Sequence, residues 1–430
     1  MNRFFSLLFS FGIIVSGLST AVFATETYHP IQIPLSTVPP LVGKPIADFG
    51  LYAFKNGKLQ TIAFQIDQVD PQDKILLPFN GEVPPKKMRL PQFTTRRDLL
   101  LWMPEDMGEA YDLKKIKTTP SETWLEINIS PSAATQDGHF VYVRIAPDQT
   151  LSPKDYVTYD RENDLVRTPS FFIGYRDIII INRFGWISKD GSLGENLLHR
   201  VAVRFSAKAL FGLFPIEITE NDIVSRVVGF KDGPIRVLKR VTNAPRLPLG
   251  MKGPASETDC FFYRNSYQTQ VAVDFPVGGK AILSDAKFRI YIDLPHFPEP
   301  LNLEMPNAEH FTIRPDLIPQ DFLVSKTPMT WIHYFGKDIP NHFVTYLQVA
   351  PGDLNVFSPR DLNYLHLGDK QTMGTLYVDI DLLSRSGMHQ FSLHLFAPSI
   401  GEKPFNTEHL MGNIKTDMAA QYHVENFRPL

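Results

Sequence analysis

The chain has 430 residues, with 43 Lys+Arg against 46 Asp+Glu for a formal net charge of −3; it is 43% hydrophobic and 21% charged. That balance excludes a disordered chain and removes the basic excess that nucleic-acid binding requires. Its 35 prolines forbid long helices, and its one cysteine excludes an intrachain disulfide, a Cys-based metal cluster and covalent c-type haem.

In chain order the first element reads as a secretory signal: Arg3, an apolar run from Phe4 to Val15, and small residues up to Ala24. The run is shorter than the ~20 apolar residues that span a bilayer. Cleavage near Ala24 would deliver a periplasmic or secreted protein. No later run approaches spanning length, so no transmembrane segment is expected after cleavage. Next, Leu51–Phe54 and Leu59–Phe64 flank Asn56-Gly57, a hairpin signature. The following segment, Gln65 to Lys74, places Asp67, Asp70 and Asp73 three residues apart. Carboxylates crowded on a turn are the hard oxygen ligands that Ca²⁺ accepts, which makes these three a candidate Ca²⁺ site; the same carboxylates can instead satisfy turn amides. Arg96–Met103 and Thr416–His423 are expected to be short helices.

Period-2 alternation dominates the rest. Thr123–Ile129, Phe140–Ile145, Arg200–Lys208, Lys287–Asp293, Thr375–Asp381 and Gln390–Phe396 all read as strands with one apolar face. Alternating strands separated by Pro- and Gly-bearing turns predict an all-β fold, an antiparallel β-sandwich with few short helices. A smaller N-terminal β unit is placed at 25–150 and a large sandwich at 151–430. Cys260, flanked by Asp259 and two phenylalanines, reads as a buried small hydrophobe.

The order Gln65-x-Asp67-x-x-Asp70, followed by Asp98, Met103, Asp106 and Gly108, resembles a pattern of uncharacterised exported bacterial β-sandwich proteins, some encoded near polysaccharide-processing enzymes. The resemblance covers a small part of the chain. It implies a β-sandwich with a carbohydrate-related role and carries over no catalytic residue.

Two segments concentrate chemistry. Glu220–Arg240 reads as strand, turn, strand, with Glu220 and Asp222 entering and Arg236, Lys239 and Arg240 leaving. Cross-strand ion pairs are one expectation; a polar cleft for an anionic sugar, with Arg236 and Arg240 as donors, is the other. Trp331-Ile332-His333-Tyr334 and Asn341-His342-Phe343 set histidines among aromatics, and His333 and His342 could pair as metal ligands or as a general base. A ligand cleft is therefore expected where Arg236 and Arg240 meet Trp331, His333 and Tyr334. No G-x-S-x-G, P-loop or G-x-G-x-x-G is present, whereas two-carboxylate glycosidase chemistry leaves no short motif. The expected function is binding of an extracytoplasmic ligand, a glycan or a cell-envelope component. Alternatives are a carbohydrate-active enzyme with paired carboxylates, or a partner subunit of an envelope protein complex.

Overall fold

The structure is a computed structural model. It describes residues 29–117, 119–130, 139–209, 212–246, 255–275, 283–293, 301–305, 309–313, 331–336, 341–349, 357–359, 363–367, 370–376, 378–380, 387–399 and 423–429. The described elements are β-strands and three-residue 3₁₀ turns. Every strand pairing among them is antiparallel, as the alternation predicts.

Near the N-terminus, β1 (Ile31–Pro34), β2 (Phe64–Asp67) and β3 (Leu99–Trp102) form a three-stranded sheet with β3 at its centre. The expected helix over 96–103 is thus a strand. Leu100, Leu101 and Trp102 are all buried, so both faces are apolar and the period-2 signal is lost. The second expected helix, 416–423, lies outside the described residues up to His423, which opens the strand His423–Pro429. The Asn56-Gly57 hairpin is present: Phe49–Lys55 pairs with Lys58–Thr61, and both turn residues take the positive φ (52° and 75°) of a type I′ turn.

A ten-stranded sheet dominates the remainder. Its strands are β4 (Ile223–Lys231), β5 (Val237–Pro245), β6 (Ser256–Phe262), β7 (Ser266–Phe275), β8 (Leu301–Met305), β9 (Glu309–Ile313), β10 (Trp331–Gly336), β11 (Phe343–Val349) and β12 (Gly387–Phe396), plus the two-residue strand Phe79–Asn80. Their spatial order is β9-β8-β10-β11-β12-β7-β6-β5-β4, ending on Phe79–Asn80. Residues directly opposite one another share a face. One face therefore carries Leu303, Tyr334, Phe343, Leu395, Tyr267, Phe262 and Val237. These pack with Phe171, Ile173, Phe184 and Trp186 of a four-stranded sheet to form the main core. Cys260 is buried there, as expected.

Strands and core residues cross the division at residue 150. Strand His423–Pro429 completes the sheet of Thr123–Ser130, Phe79–Asn80 extends the large sheet at β4, and Ala63, Leu101 and Met103 belong to the main core. Among the described residues no helix is long and apolar enough to cross a membrane.

Candidate functional site

The opposite face of the ten-stranded sheet has a different chemistry. The same registers that send apolar residues into the core line up three polar and aromatic ladders on this side. The first runs Asn302–Phe335 with His342 beyond it, the second Glu304–His333–Val344–Phe396–Ser266, and the third Trp331–Tyr346–His394–Gln268–Phe261. Gln348, Ser392 and Gln270 follow. Trp331, His333, Tyr346, Ser392 and His394 are buried, while Asn302, Glu304, Phe335, Gln348 and Gln268 are half-buried.

Two hydrogen-bond chains order this face. Glu304 Oε2 lies 2.9 Å from His333 Nδ1, and His333 Nε2 lies 3.1 Å from His342 Nδ1. With the Glu304 carboxylate accepting from His333 Nδ1–H, a neutral His333 accepts at Nε2 from His342 Nδ1–H, whereas a protonated His333 donates there to a neutral His342. Ser392 Oγ donates to Gln348 Oε1 at 3.3 Å and lies 3.0 Å from His394 Nε2; a donating Ser392 requires His394 to carry its proton on Nε2. Burial, assisted by the charge His333 could carry, lowers the His342 pKa to about 4. Burial and the neighbouring His29 lower that of His394 to about 3. Both imidazoles are neutral near pH 7, each offering one donor and one acceptor.

The sequence-derived ligand residues divide between the two faces. Trp331 and His333 lie on the polar face, where His333 meets His342 ring nitrogen to ring nitrogen. Tyr334, one residue out of phase, is fully buried in the core and stacks on Phe343 with ring centroids 4.3 Å apart. Arg236 and Arg240 border the same polar face but five strand steps from β10, on the order of 20 Å at ~4.8 Å per strand. The two groups therefore do not converge on the expected cleft. The expected pairing of these arginines with Glu220 and Asp222 is also replaced. Glu220 binds Arg200 at 2.6 Å, and Asp222 accepts from Thr219. Arg240 forms a bidentate pair with Asp259 at 2.7 and 2.8 Å.

Arg236 is buried against Asp67, its Nε 2.8 Å from Oδ2, with Lys231 Nζ 2.7 Å from Oδ1. Burial alone would raise the Asp67 pKa, yet the Arg236 and Lys231 charges and the Gln65 amide hold it well below the usual carboxylate range. Asp67 is thus a buried counterion. Asp70 accepts from the Gln72 and Lys74 amides at 2.8 and 2.9 Å, and exposed Asp73 pairs with Arg97. The three candidate Ca²⁺ ligands face different partners, and no group of three metal-ligating side chains occurs among the described residues. Their regular spacing is accounted for by turn-amide and ion-pair roles.

The residues not foreseen are Glu304, Tyr346, Ser392 and His394. The signal for Ser392, His394 and Glu304 lies in strand parity: in Gln390–Phe396 and Leu301–Glu304 the polar positions alternate with Phe and Leu, whereas Val344 and Thr345 interrupt that alternation beside Tyr346.

No family model and no curated protein matches the chain. Among solved structures it is similar to an alpha-mannosidase from Enterococcus faecalis V583, with a TM-score of 0.46 and 8% identity. The similarity covers 94% of this chain and 44% of that one, so the chain spans less than half the length of the mannosidase.

Proposed function

We propose that this chain is an exported protein whose polar sheet face binds a glycan or glycan-bearing cell-envelope component. The observation that carries the reading is the two-sided chemistry of one sheet. Side chains of one parity build the core, while those of the other set Trp331, Tyr346 and Phe335 beside His333, His342, His394, Gln268 and Gln348. A sugar needs a planar apolar surface for its C–H face and fixed donors and acceptors for its hydroxyls. Arg3, the Phe4–Val15 run and Ala24 support export, and the resemblance carried by Gln65, Asp67 and Asp106 points the same way. A two-carboxylate glycosidase is less well supported. Glu304 lies five strand steps from Asp259 and Glu257, the other described carboxylates of this face, well beyond the ~5–9.5 Å between glycosidase carboxyl groups, and those two are held in ion pairs by Arg240 and Lys74.

The test is a thermal-shift screen of the mature protein against soluble polysaccharides, repeated with and without Ca²⁺. A binding glycan raises the melting temperature by mass action, and Gln348→Ala and Phe335→Ala weaken that rise. A flat response across all polysaccharides refutes the reading.

A further inference from the structure

The strands that build the polar face differ sharply in charge from the hairpin beside them. Strands β6 to β12 contain no lysine or arginine. The nearest strand cations are Lys239 and Arg240 on β5, and each already has a carboxylate. Arg240 is held by Asp259 in a bidentate pair, with Glu257 4.0 Å away. Lys239 points to the core face and meets both oxygens of Asp164 at 2.8 Å. In the turn before β5, Arg236 shares Asp67 with Lys231. Removing either partner of such a buried pair strands the other charge, so these cations are committed to holding the sheet together.

What β7, β8 and β11 offer at their half-buried positions on this face is neutral: the amides of Gln268, Asn302 and Gln348. A carboxamide donates from its NH₂ and accepts at its oxygen, which matches a hydroxyl group, itself donor and acceptor. An anion needs donors only, and preferably charged ones. Glu304, the one carboxylate of β8 described on this face, would repel an anionic ligand and accept from a hydroxyl.

We infer that the ligand of this face is an uncharged glycan, and that uronic, sulfated or phosphorylated glycans are disfavoured there. The inference rests on the glycan reading above.

Affinity electrophoresis of the mature protein separates the two. Native gels contain neutral polysaccharides (mannan, β-glucan, xylan) or acidic ones (polygalacturonate, alginate), each at about 0.05 M and about 0.5 M NaCl, concentrations between which screening of surface charges rises severalfold. The expected result is retardation on at least one neutral matrix, with an apparent Kd that moves less than about twofold between the two salts. On that matrix Gln348→Ala and Phe335→Ala each reduce retardation. Preferential retention on an acidic matrix, falling by tenfold or so with salt, overturns the inference and leaves the glycan reading standing. Mobility unchanged on every matrix overturns both.

Discussion

At the scale of single residues, buried charge separates the groups that hold the sheets together from the neutral side chains of the polar face. Asp67 is almost fully buried and serves two cations at once. Asp67→Asn leaves Arg236 and Lys231 without their carboxylate, and denaturant unfolding should show a loss of roughly 3–5 kcal/mol. An unchanged midpoint would mean that water compensates both cations. Tyr334 and Gln348 make the complementary contrast. Tyr334→Ala empties a core position stacked on Phe343 and should cost about 3–5 kcal/mol. Gln348→Ala, on the half-buried polar face, should cost only about 1 kcal/mol, the net worth of the hydrogen bond it accepts from Ser392, while reducing the glycan-induced thermal shift. Equal destabilisation by both would show that the two faces are not distinct.

Among the elements, turns and strand parity decide the architecture. The Asn56-Gly57 turn works because both residues accept positive φ, a region where a Cβ is penalised. Nothing lies within 4 Å of a Cβ added at Gly57, so Gly57→Ala tests backbone conformation alone. A drop in stability of about 1 kcal/mol is expected by thermal denaturation, and no drop would show that the hairpin relaxes to another turn. In β10 to β12, parity assigns each residue to the core or to the polar face. Trp331 and His333 face one way and Ile332 and Tyr334 the other, so neighbours in sequence have unrelated roles. β3 shows the converse, since a central strand buried on both faces carries no parity signal and reads as a helix segment.

For the whole molecule, the interlocked N-terminal and large sheets should behave as one cooperative unit. A fragment of residues 25–150 lacks the strand His423–Pro429 and the Arg236 and Lys231 partners of Asp67. It should show neither dispersed NMR signals nor a cooperative melt, and a sharp transition would establish an independent domain. Stability should also fall in mild acid. Burial, together with Arg236, lowers the His29 pKa to about 4, and those of His342 and His394 lie at about 4 and 3. In the unfolded chain each would titrate near 6.5. The unfolded state therefore binds more protons below about pH 6.5, and each histidine removes on the order of 1.4 kcal/mol per pH unit until its folded pKa is reached. The contribution of Asp67 has the opposite origin: its lowered pKa supplies stability above the unfolded carboxylate range, which is lost as pH falls through and below that range. Urea midpoints at pH 7.5, 6 and 4.5 should fall modestly between the first two, by roughly 2 kcal/mol in stability for the three rings together, and further at the third. Equal midpoints at all three would contradict neutral burial of these rings.

The all-β, antiparallel character, the Asn56-Gly57 hairpin and the burial of Cys260 are legible in the amino-acid sequence. These rest on local signals of parity, turn chemistry and spacing, which act within a few residues. Tertiary structure alone decided which parity faces the core and which charge meets which. Arg236 finds Asp67 from 169 positions away in the chain, and Arg240 takes Asp259 from the next strand in preference to Glu220. A buried cation pairs with whichever carboxylate the sheet order places against it, because leaving it unpaired in low dielectric costs several kcal/mol. That order arises from long-range strand pairing. It put Trp331 and His333 beside Tyr346 and His394, and set them five strands from the arginines with which sequence proximity to charge and aromatics had grouped them.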